Sequence, residues 1–426
     1  MKATQSNRRR FLKDAALAGV AMGAIPSAVR GQMPHGPGAT AVPPAERWAY
    51  GQRSRFETTV RRVAEDSVNP EHMHFGRNLN TLTPLHATVG IITPAPLHFV
   101  SAHGYYPPDI DPREYRLMIH GMVDRPLVFT LAELKQLPSI TRIHYLECQA
   151  NVPEYKNRYR EEDQTLEVVH GKTGCSQWTG VLLSVLLKEA GVRSDASWVV
   201  SEGSENGKIT KSVPLKKAMH DVLVAYGQNG EAVRPENGYP VRLVVPGFEA
   251  INSVKWLRRI KVTDRPYMGY HEIGRFAPRN PEAIWFTFEQ GPKSVITFPS
   301  AGQRLTRHGM HEVTGLAWTG GGLVRRVEVS ADGGRTWRDA QLQEPILRMA
   351  HTRFTMPWNW NGQESILMSR CIDELGQVQP TLPEFAKFFG TTSERILAGE
   401  SSGAGHSNAI QPWGIRRDGS VYNALS

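Results

Sequence analysis

Short alternating runs, each closed by glycine or proline, recur along this chain of 426 residues. The clearest is Arg-Val-Glu-Val-Ser at 326–330, followed by Ala-Asp-Gly-Gly at 331–334 and by a return strand that we expect to begin at Arg335. Asp-Gly between alternating runs is a strong hairpin signal. Glycine occurs 39 times and proline 29 times, which favours many short strands over long helices. After about Pro292 the pattern therefore predicts an immunoglobulin-like β-sandwich.

Residues 105–262 mix strand and helix signals. Polar and apolar residues alternate over 115–121, which predicts a strand. Thr130 is a good N-cap for one helix, and a second helix over 182–190 ends at Gly191. Further strands are predicted at 142–148, 198–201 and 241–245. The mixture predicts an α+β body with mixed sheets.

The N-terminus is typical of an export signal. Asn-Arg-Arg-Arg-Phe-Leu-Lys at 7–13 precedes a weakly apolar run at 15–25, and the small residues Ser27 and Ala28 offer a cleavage site. A lipid-facing anchor or a basic amphipathic start is the alternative, but the run is too short and too rich in alanine and glycine for a stable span. We predict a twin-arginine signal at 1–30, which is removed from a periplasmic protein that is exported already folded.

The charge and the cysteines exclude several kinds of partner. Residues 1–30 hold six basic residues and one acidic residue, so the formal net charge of +9 leaves +4 for the mature chain, which makes no case for nucleic acid. The cysteines are Cys148, Cys175 and Cys371, and an odd count leaves one thiol unpaired. No Cys-x-x-Cys-His is present, so the chain attaches no c-type haem, and three thiols cannot supply the usual four ligands of an iron–sulfur cluster. By its local sequence alone, Cys148 is equally well a buried core thiol.

Two cations lie inside apolar segments that a globular fold would bury. Arg242 stands in Val-Arg-Leu-Val-Val at 241–245, and Lys255 stands between Val254 and Trp256. A buried guanidinium without a partner costs about 3–5 kcal/mol, and arginine is suited to bidentate binding of a phosphate. Two such cations in neighbouring segments suit an anionic ligand. The alternative is a pair of core salt bridges.

These segments resemble the sulfite oxidase family of molybdopterin enzymes over most of the chain after the leader. Leu-Glu-Cys-Gln-Ala-Asn at 146–151 is similar to the family's molybdenum-ligating cysteine loop. Gly-Tyr-Pro-Val-Arg-Leu-Val-Val-Pro-Gly at 238–247 and Ser-Val-Lys-Trp-Leu at 253–257 are similar to its pterin-binding stretch. The runs at 315–321, 327–330, 332–337 and 408–414 are similar to its sandwich domain and C-terminal tail.

The resemblance implies how the chain is divided and what it binds. An arm or linker at 31–75 precedes a molybdopterin-binding α+β domain at 76–275. An immunoglobulin-like dimerisation domain follows at 276–395, and a tail at 396–426 packs on the body. The implied cofactor is one molybdenum–molybdopterin per chain. The implied assembly is a homodimer core within a hetero-oligomer, with no membrane span.

The resemblance also implies the site residues. Cys148 becomes the catalytic thiolate that binds molybdenum, since thiolate sulfur suits a soft metal site. The residues implied for the pterin and its phosphate are Phe99, Val100, Ser101, Ala102, His103, Glu205, Asn237, Arg242, Ser253, Val254 and Lys255. Glu205 lies near the family's acidic cofactor contact, and Asn237 stands where the family usually has histidine. The active-site tyrosine of the family has two candidates here, Tyr267 and Tyr270.

Departures from the family pattern indicate the substrate. The family's small-anion pocket uses arginines, and two of those positions fall at Ser101 and near Val152 and Pro153. Each lost charge-assisted contact is worth about 1.5–3 kcal/mol, so we expect poor binding of free sulfite. The pattern resembles the branch that contains the molybdenum subunits of sulfane dehydrogenases in thiosulfate oxidation. That branch implies a sulfur-carrier protein as substrate and a c-type cytochrome subunit as electron acceptor.

Other functions remain as alternatives at this stage. A free-sulfite dehydrogenase of the same fold is the nearest, and a reductase that repairs oxidised methionine is a further one. A non-catalytic immunoglobulin-like binding or scaffold protein belongs to another class, but it leaves Arg242 and Lys255 without a ligand. No His/Cys spacing supports a zinc hydrolase.

Overall fold

The computed structural model describes residues 53–64, 80–101, 106–151, 160–267, 269, 272, 288–398 and 406–425. The predicted export signal lies outside these ranges, as do Ala102, His103, Val152, Pro153 and Tyr270. The chain forms two compact units, Met1–Thr58 and Thr59–Ser426, and the second unit carries everything below. Within the described ranges, none of the helices has the length and apolarity that crossing a membrane requires.

Short strands make up most of the regular structure in these ranges. The strands are β1 Arg62–Val63, β2 Thr81–Leu82, β3 Arg116–Gly121, β4 Leu127–Thr130, β5 Ser139–Glu147, β6 Thr173–Leu182, β7 Trp198–Gly203, β8 Thr210–Pro214, β9 Leu223–Gln228, β10 Glu231–Ala232, β11 Arg242–Val244, β12 Leu257–Thr263, β13 Lys293–Phe298, β14 Gly309–Trp318, β15 Val324–Ser330, β16 Arg338–Asp339, β17 Gln341–Leu342, β18 Thr352–Trp360, β19 Ser365–Asp373, β20 Trp413–Ile415 and β21 Val421–Asn423. The α-helices are α1 Leu131–Gln136, α2 Leu166–His170, α3 Leu183–Ala190, α4 Leu215–His220, α5 Leu382–Phe388 and α6 Ser393–Leu397. Single 3₁₀ turns lie at Leu85–Ala87, Ala95–Leu97, Glu161–Asp163, Pro235–Asn237 and Ala250–Asn252.

Two sheets form the α+β body. One has the strand order β10-β9-β6-β5, with β11 also paired to β9, and the other has the order β4-β3-β12-β7-β8. Strand β12 runs parallel to β3 and antiparallel to β7, so this second sheet is mixed, as predicted. Apolar residues of both sheets and of α3 share one core, which includes Leu117, Val181, Leu186 and Ile260.

Local signals account for the helix ends in this body. Thr130 and Glu133 form a reciprocal capping box at the start of α1, which satisfies two backbone N–H groups that the first turn leaves free. Helix α3 ends at Gly191, which takes a left-handed conformation at φ 69°. Glycine adopts that conformation without a steric cost, so the stop follows from the sequence.

The sandwich consists of two further sheets. Their orders are β13-β14-β18-β17 and β16-β15-β19-β20-β21, so the two C-terminal strands complete the second sheet. Trp318, Val327, Phe354 and Trp413 are buried in the core between them. The predicted fold class, an α+β body followed by an immunoglobulin-like sandwich, is confirmed. The predicted domain boundaries stay predictions.

The predicted hairpin is present, but its return strand starts later than expected. Strand β16 begins at Arg338 and not at Arg335, and it pairs antiparallel with β15. The carboxylate of Asp332 accepts hydrogen bonds from the backbone N–H and the hydroxyl of Thr336, and from the hydroxyl of Ser330. These bonds extend the turn through Thr336, because an aspartate side chain competes with the strand ladder for backbone donors.

Strand β5 presents its two faces to different cores. Tyr145 packs in the cluster that contains Trp318 of the sandwich, whereas Leu146 and Cys148 pack with Trp178 of the body. Successive side chains of a strand point to opposite faces, so Glu147 lies on the sandwich side and Cys148 on the other. This alternation separates the thiol from its charged neighbour.

Candidate functional site

A cleft opens where β5 ends. It is lined by His98, Phe99, Ser101, Leu146, Cys148, Glu205, Ile209, Glu236, Asn237, Arg242, Ala250, Ile251, Ser253, Val254, Lys255 and Trp256. The walls come from the turn before Phe99, the end of β5, the loop after β7 and the segments on either side of β11. Segments far apart in sequence therefore meet at one cavity.

Nine of the predicted site residues line this cleft. They are Phe99, Ser101, Cys148, Glu205, Asn237, Arg242, Ser253, Val254 and Lys255. Val100 does not line it, because its backbone pairs with Thr81 and its side chain is buried. Ala102 and His103 belong to the residues that the structure does not describe. The roles predicted for all of these residues stay predictions.

Cys148 is the cysteine that reaches the cleft. Its backbone N–H donates to the carbonyl of Lys172 at 2.9 Å, and its carbonyl accepts from the N–H of Asn151 at 3.0 Å, so the turn around it is fixed. None of the three cysteines forms a disulfide. Cys175 and Cys371 are fully buried, and burial raises the pKa of Cys175 to about 12. Of the three thiols, Cys148 is the one placed to contact a ligand.

Arg242 is held by backbone carbonyls. Its guanidinium donates to the carbonyl oxygens of Asn237 at 2.8 Å and Ser253 at 2.9 Å, and it lies 4.9 Å from the ring centroid of Trp178. The residue is 4 % exposed, and burial lowers its pKa to about 9. A charge kept in such a place is stabilised when an anion binds beside it.

Lys255 is the second cation of the cleft. Its ammonium donates to the carbonyls of Ser101 at 2.9 Å and Glu236 at 3.2 Å. Burial, and then the charge of Arg242, lower its pKa to about 7. Among the residues that the structure describes, no carboxylate lies within ion-pair distance of either cation. Within the described ranges, the structure therefore gives no support to the alternative of two core salt bridges.

Two buried polar atoms of the cleft have no hydrogen-bond partner in the described structure. One is Oε2 of Glu205, whose Oε1 accepts from the N–H of Ile209. Burial raises the pKa of this carboxyl. The other is Nε2 of His98, whose Nδ1 lies 3.1 Å from the carbonyl of Phe99. Buried polar atoms are almost always satisfied, so both atoms indicate a polar ligand.

His98 was not among the predicted site residues. Burial lowers its pKa to about 3, so the imidazole is neutral near pH 7. With Nδ1–H donating to the carbonyl of Phe99, Nε2 is left as an acceptor. Its signal in the sequence is only that it precedes Phe99 at the end of an apolar run, and a histidine there is equally well a core residue.

Among the residues that the structure describes, no tyrosine lines the cleft. Tyr267 is 40 % exposed, contacts the ammonium of Lys261 and is absent from the lining. Tyr270 lies outside the described residues. Ser101 stands where the family pattern has an arginine. Its contribution to the cleft is its backbone carbonyl, which accepts a hydrogen bond from the ammonium of Lys255.

The donor set fits a metal–pterin group that carries a phosphate. The sulfur of Cys148 suits a soft metal site. Two buried cations without carboxylate partners suit a phosphate. An unpartnered carboxylate oxygen and an unpartnered imidazole nitrogen suit the polar edge of a heterocycle. The cleft is therefore chemically complementary to such a group.

Comparison with known proteins gives the same assignment. The chain matches the family model of the oxidoreductase molybdopterin binding domain over residues 103–271 and that of the Mo-co oxidoreductase dimerisation domain over residues 286–391. It is similar to nitrate reductase [NADH] 1 of Arabidopsis thaliana, with 34% identity over 64% of this chain and 33% of the relative. It is also similar to nitrate reductase [NAD(P)H] of Hordeum vulgare, with 31% identity over 84% of this chain and 44% of the relative.

The chain thus spans less than half the length of these relatives. Among solved structures it is similar to a chain of the sulfane dehydrogenase SoxCD from Paracoccus pantotrophus. The TM-score is 0.80 and the identity 34%, over 94% of this chain and 99% of that chain. The chain therefore belongs to the sulfite oxidase family of molybdopterin-dependent oxidoreductases.

Proposed function

We propose that this chain is the molybdenum subunit of an exported sulfane dehydrogenase. Its substrate is a sulfane sulfur carried on a cysteine of another protein, and its electrons pass to a c-type cytochrome subunit. One observation carries the proposal: the fold holds Arg242 and Lys255 on backbone carbonyls beside the thiol of Cys148. Two buried cations beside a thiol are suited to bind an anionic group that carries a thiol-binding metal.

Five of the lining residues would hold that group. The thiolate of Cys148 binds the metal, and Arg242 and Lys255 bind the phosphate, one group per chain. Glu205 and His98 would accept hydrogen bonds from its heterocycle, because Oε2 of Glu205 and Nε2 of His98 have no partner among the described residues. When bound, the molybdenum–pterin group supplies two-electron redox chemistry and the transfer of an oxygen atom that derives from water.

The cations of the cleft favour a carrier-bound substrate over free sulfite. Arg242 is the one arginine among the described lining residues, and two carbonyls already hold it. Ser101 replaces an arginine of the family's anion pocket, at a cost of about 1.5–3 kcal/mol in binding a free dianion. A sulfur atom attached to a carrier protein is bound through the carrier's own surface, so it does not depend on that contact. The similarity to a sulfane dehydrogenase chain over nearly its whole length supports the same choice.

The proposed reaction requires an electron acceptor. In each step a terminal sulfur gains one oxygen atom from water and releases two protons and two electrons. These 426 residues contain no Cys-x-x-Cys-His and only three cysteines, so they offer no c-type haem or four-cysteine cluster to take the electrons. A c-type cytochrome subunit is the partner that receives them.

Metal analysis and a substrate comparison test the proposal. Purified holoenzyme is expected to contain about one molybdenum per chain and to release a fluorescent pterin on denaturation, at the stoichiometry of a single-site cofactor. Turnover is measured with a sulfur-loaded carrier protein, free sulfite and nitrate, with cytochrome c or a reduced dye as redox partner. Oxidation of the loaded carrier well above that of sulfite is expected. Rapid turnover of free sulfite, reduction of nitrate, or a protein without molybdenum would each contradict the proposal.

The proposed export to the periplasm can be tested separately. Replacing Arg8 and Arg9 by lysine preserves the charge of the leader but removes the paired arginines. The precursor is then expected to accumulate in the cytoplasm, whereas the unchanged chain is processed and recovered from the periplasm. Normal export of the lysine variant would contradict the twin-arginine assignment.

A further inference from the structure

We infer that the buried carboxylate of Glu147 is a positioning residue for the Cys148 thiol, and that the sandwich and the C-terminal segment hold this carboxylate in place. The inference rests on the proposed function, in which Cys148 binds the metal. It assigns a role to residues that do not line the cleft. The central contacts come from Lys293, Trp318 and His406.

Four side chains donate to the two oxygens of Glu147. Oε1 accepts from Nδ2 of Asn151 and Nζ of Lys293, both at 2.7 Å. Oε2 accepts from Nε1 of Trp318 at 2.7 Å and Nε2 of His406 at 2.6 Å. Glu147 is 0 % exposed, so bulk solvent does not reach this arrangement. Two acceptors with four donors leave the carboxylate one orientation.

The donors belong to separate parts of the chain. Lys293 is the first residue of β13, Trp318 is the last residue of β14, and His406 begins the described C-terminal segment. Lys293 also donates to the carbonyls of Asn151 and Ser407, which joins the cysteine turn to that segment. The ammonium of Lys293 and the carboxylate of Glu147 form an ion pair in which both side chains are at most 1 % exposed.

The network acts on Cys148 through the backbone. Asn151 donates from its side chain to Glu147 and from its backbone to the carbonyl of Cys148, so both ends of the turn are tied to one carboxylate. Gln290 donates to the backbone carbonyl of Glu147 at 3.3 Å. Because neighbouring residues of a strand point to opposite faces, fixing Glu147 on the sandwich side aims Cys148 into the cleft. Groups that orient a metal ligand commonly change metal affinity or activity about 10–100-fold when they are removed.

Fold stability alone does not account for this choice of residues. A buried ion pair is often no more stabilising than apolar residues of the same volume, so the sandwich core could be built without it. The network is also placed at the residue that precedes the one thiol of the three that reaches the cleft. The hydrogen bonds and the ion pair of Glu147 instead fix the geometry of the chain at Cys148.

The test compares holoenzyme variants that keep the buried charges balanced. Glu147→Gln combined with Lys293→Met removes both members of the ion pair, so no charge is stranded. Arg370→Met is the matched control, because it breaks the Arg370–Glu328 ion pair on the sandwich and touches nothing at Cys148. Lys293→Arg is the conservative variant that retains the cation. The readouts are the rate of molybdenum release at a fixed temperature and the electron paramagnetic resonance spectrum of the one-electron-reduced metal.

The double variant is expected to release molybdenum about tenfold faster than the unchanged protein and to show displaced g values. Arg370→Met is expected to match the unchanged protein in both readouts. Lys293→Arg, which retains the cation, is expected to keep the spectrum of the unchanged protein. If the double variant does not fold, His406→Gln removes one bond to the carboxylate, and it is expected to displace the spectrum in the same direction.

Two outcomes overturn the inference while leaving the proposed function intact. One is an unchanged spectrum and release rate in the double variant. If the double variant does not fold, the same result in His406→Gln has the same meaning. The other is an equal change in Arg370→Met, which would make the effect one of sandwich stability. Absence of molybdenum from the unchanged protein overturns the proposed function instead, so the two failures are distinguishable.

Discussion

Arg242→Met is expected to affect cofactor binding strongly and the stability of the cofactor-free chain only weakly. Burial lowers the pKa of Arg242 from its ordinary 12.5 to about 9, so keeping the charge without a bound anion costs about 4–5 kcal/mol. The substitution removes that cost together with the bonds to the carbonyls of Asn237 and Ser253. Two bonds from a charged donor are worth about 3–6 kcal/mol. The contributions nearly cancel, and we expect the free energy of unfolding to change by at most about 2 kcal/mol.

Lys293→Met is the matched control for this variant. The ammonium of Lys293 lies 2.7 Å from Oε1 of Glu147, and both side chains are almost fully buried. Removing the cation leaves a buried carboxylate without its ion-pair partner, which costs about 3–5 kcal/mol. The assay is urea unfolding of both variants and the unchanged chain, all produced in cells that cannot make the molybdenum cofactor.

In cofactor-competent cells Arg242→Met is expected to be the more strongly affected of the two variants, because it removes a direct phosphate contact, whereas Lys293→Met acts only through the position of Cys148. Arg242→Met loses charge-assisted contacts to a phosphate worth about 3–6 kcal/mol, or about 10²–10⁴-fold in affinity, so most of the molybdenum is expected to be lost. Metal analysis of the purified protein measures this directly. The reasoning is refuted if Arg242→Met destabilises the cofactor-free chain as much as Lys293→Met does and still retains a full complement of molybdenum.

Three further predictions follow from single contacts. Cys148→Ser is expected to abolish molybdenum binding and turnover, whereas Cys175→Ser, at a buried thiol away from the cleft, retains both in metal analysis and activity assays. In the cofactor-free chain the pKa of Lys255 is about 7 against an ordinary 10.5. The unfolded chain therefore binds the extra proton between these values, and urea unfolding should show stability rising from pH 7 towards pH 10, with the rise lost in Lys255→Met. Thr130→Ala breaks the capping box of α1 and should lower the free energy of unfolding by about 1 kcal/mol, whereas Thr141→Ala, on an exposed part of β5, should change it by less than about 0.5 kcal/mol.

Local rules were sufficient for much of the fold. The Asp-Gly hairpin, the cap at Thr130 and the stop at Gly191 depend on residues within a few positions of one another, and the structure contains all three. The return strand of the hairpin was placed three residues early, because side-chain bonds of Asp332 extend the turn. A pattern of apolar residues does not reveal that competition.

Site residues could be predicted where a local pattern or the family resemblance pointed to them, but not where their roles depend on tertiary contacts. Arg242 inside an apolar strand by itself indicates a buried cation that needs an anionic ligand or an acidic partner, whereas the significance of Cys148 came from the family resemblance. His98 and Glu147 were missed because their roles depend on tertiary convergence. Glu147 is paired with Lys293 across 146 positions of sequence and with His406 across 259 positions. No local pattern indicates that these three residues meet.

The two-sided use of β5 restricts how this strand can change in length. Strand β5 is paired residue by residue with β6, from Ser139 opposite Val181 to Glu147 opposite Thr173. Insertion or deletion of one residue before Glu147 would shift the pairing by one and exchange the faces of every following side chain. The carboxylate would then enter the cleft, and the thiol would be enclosed beneath the sandwich. A chain that holds Glu147 and Cys148 in these two places can therefore change the length of β5 by two residues, but not by one.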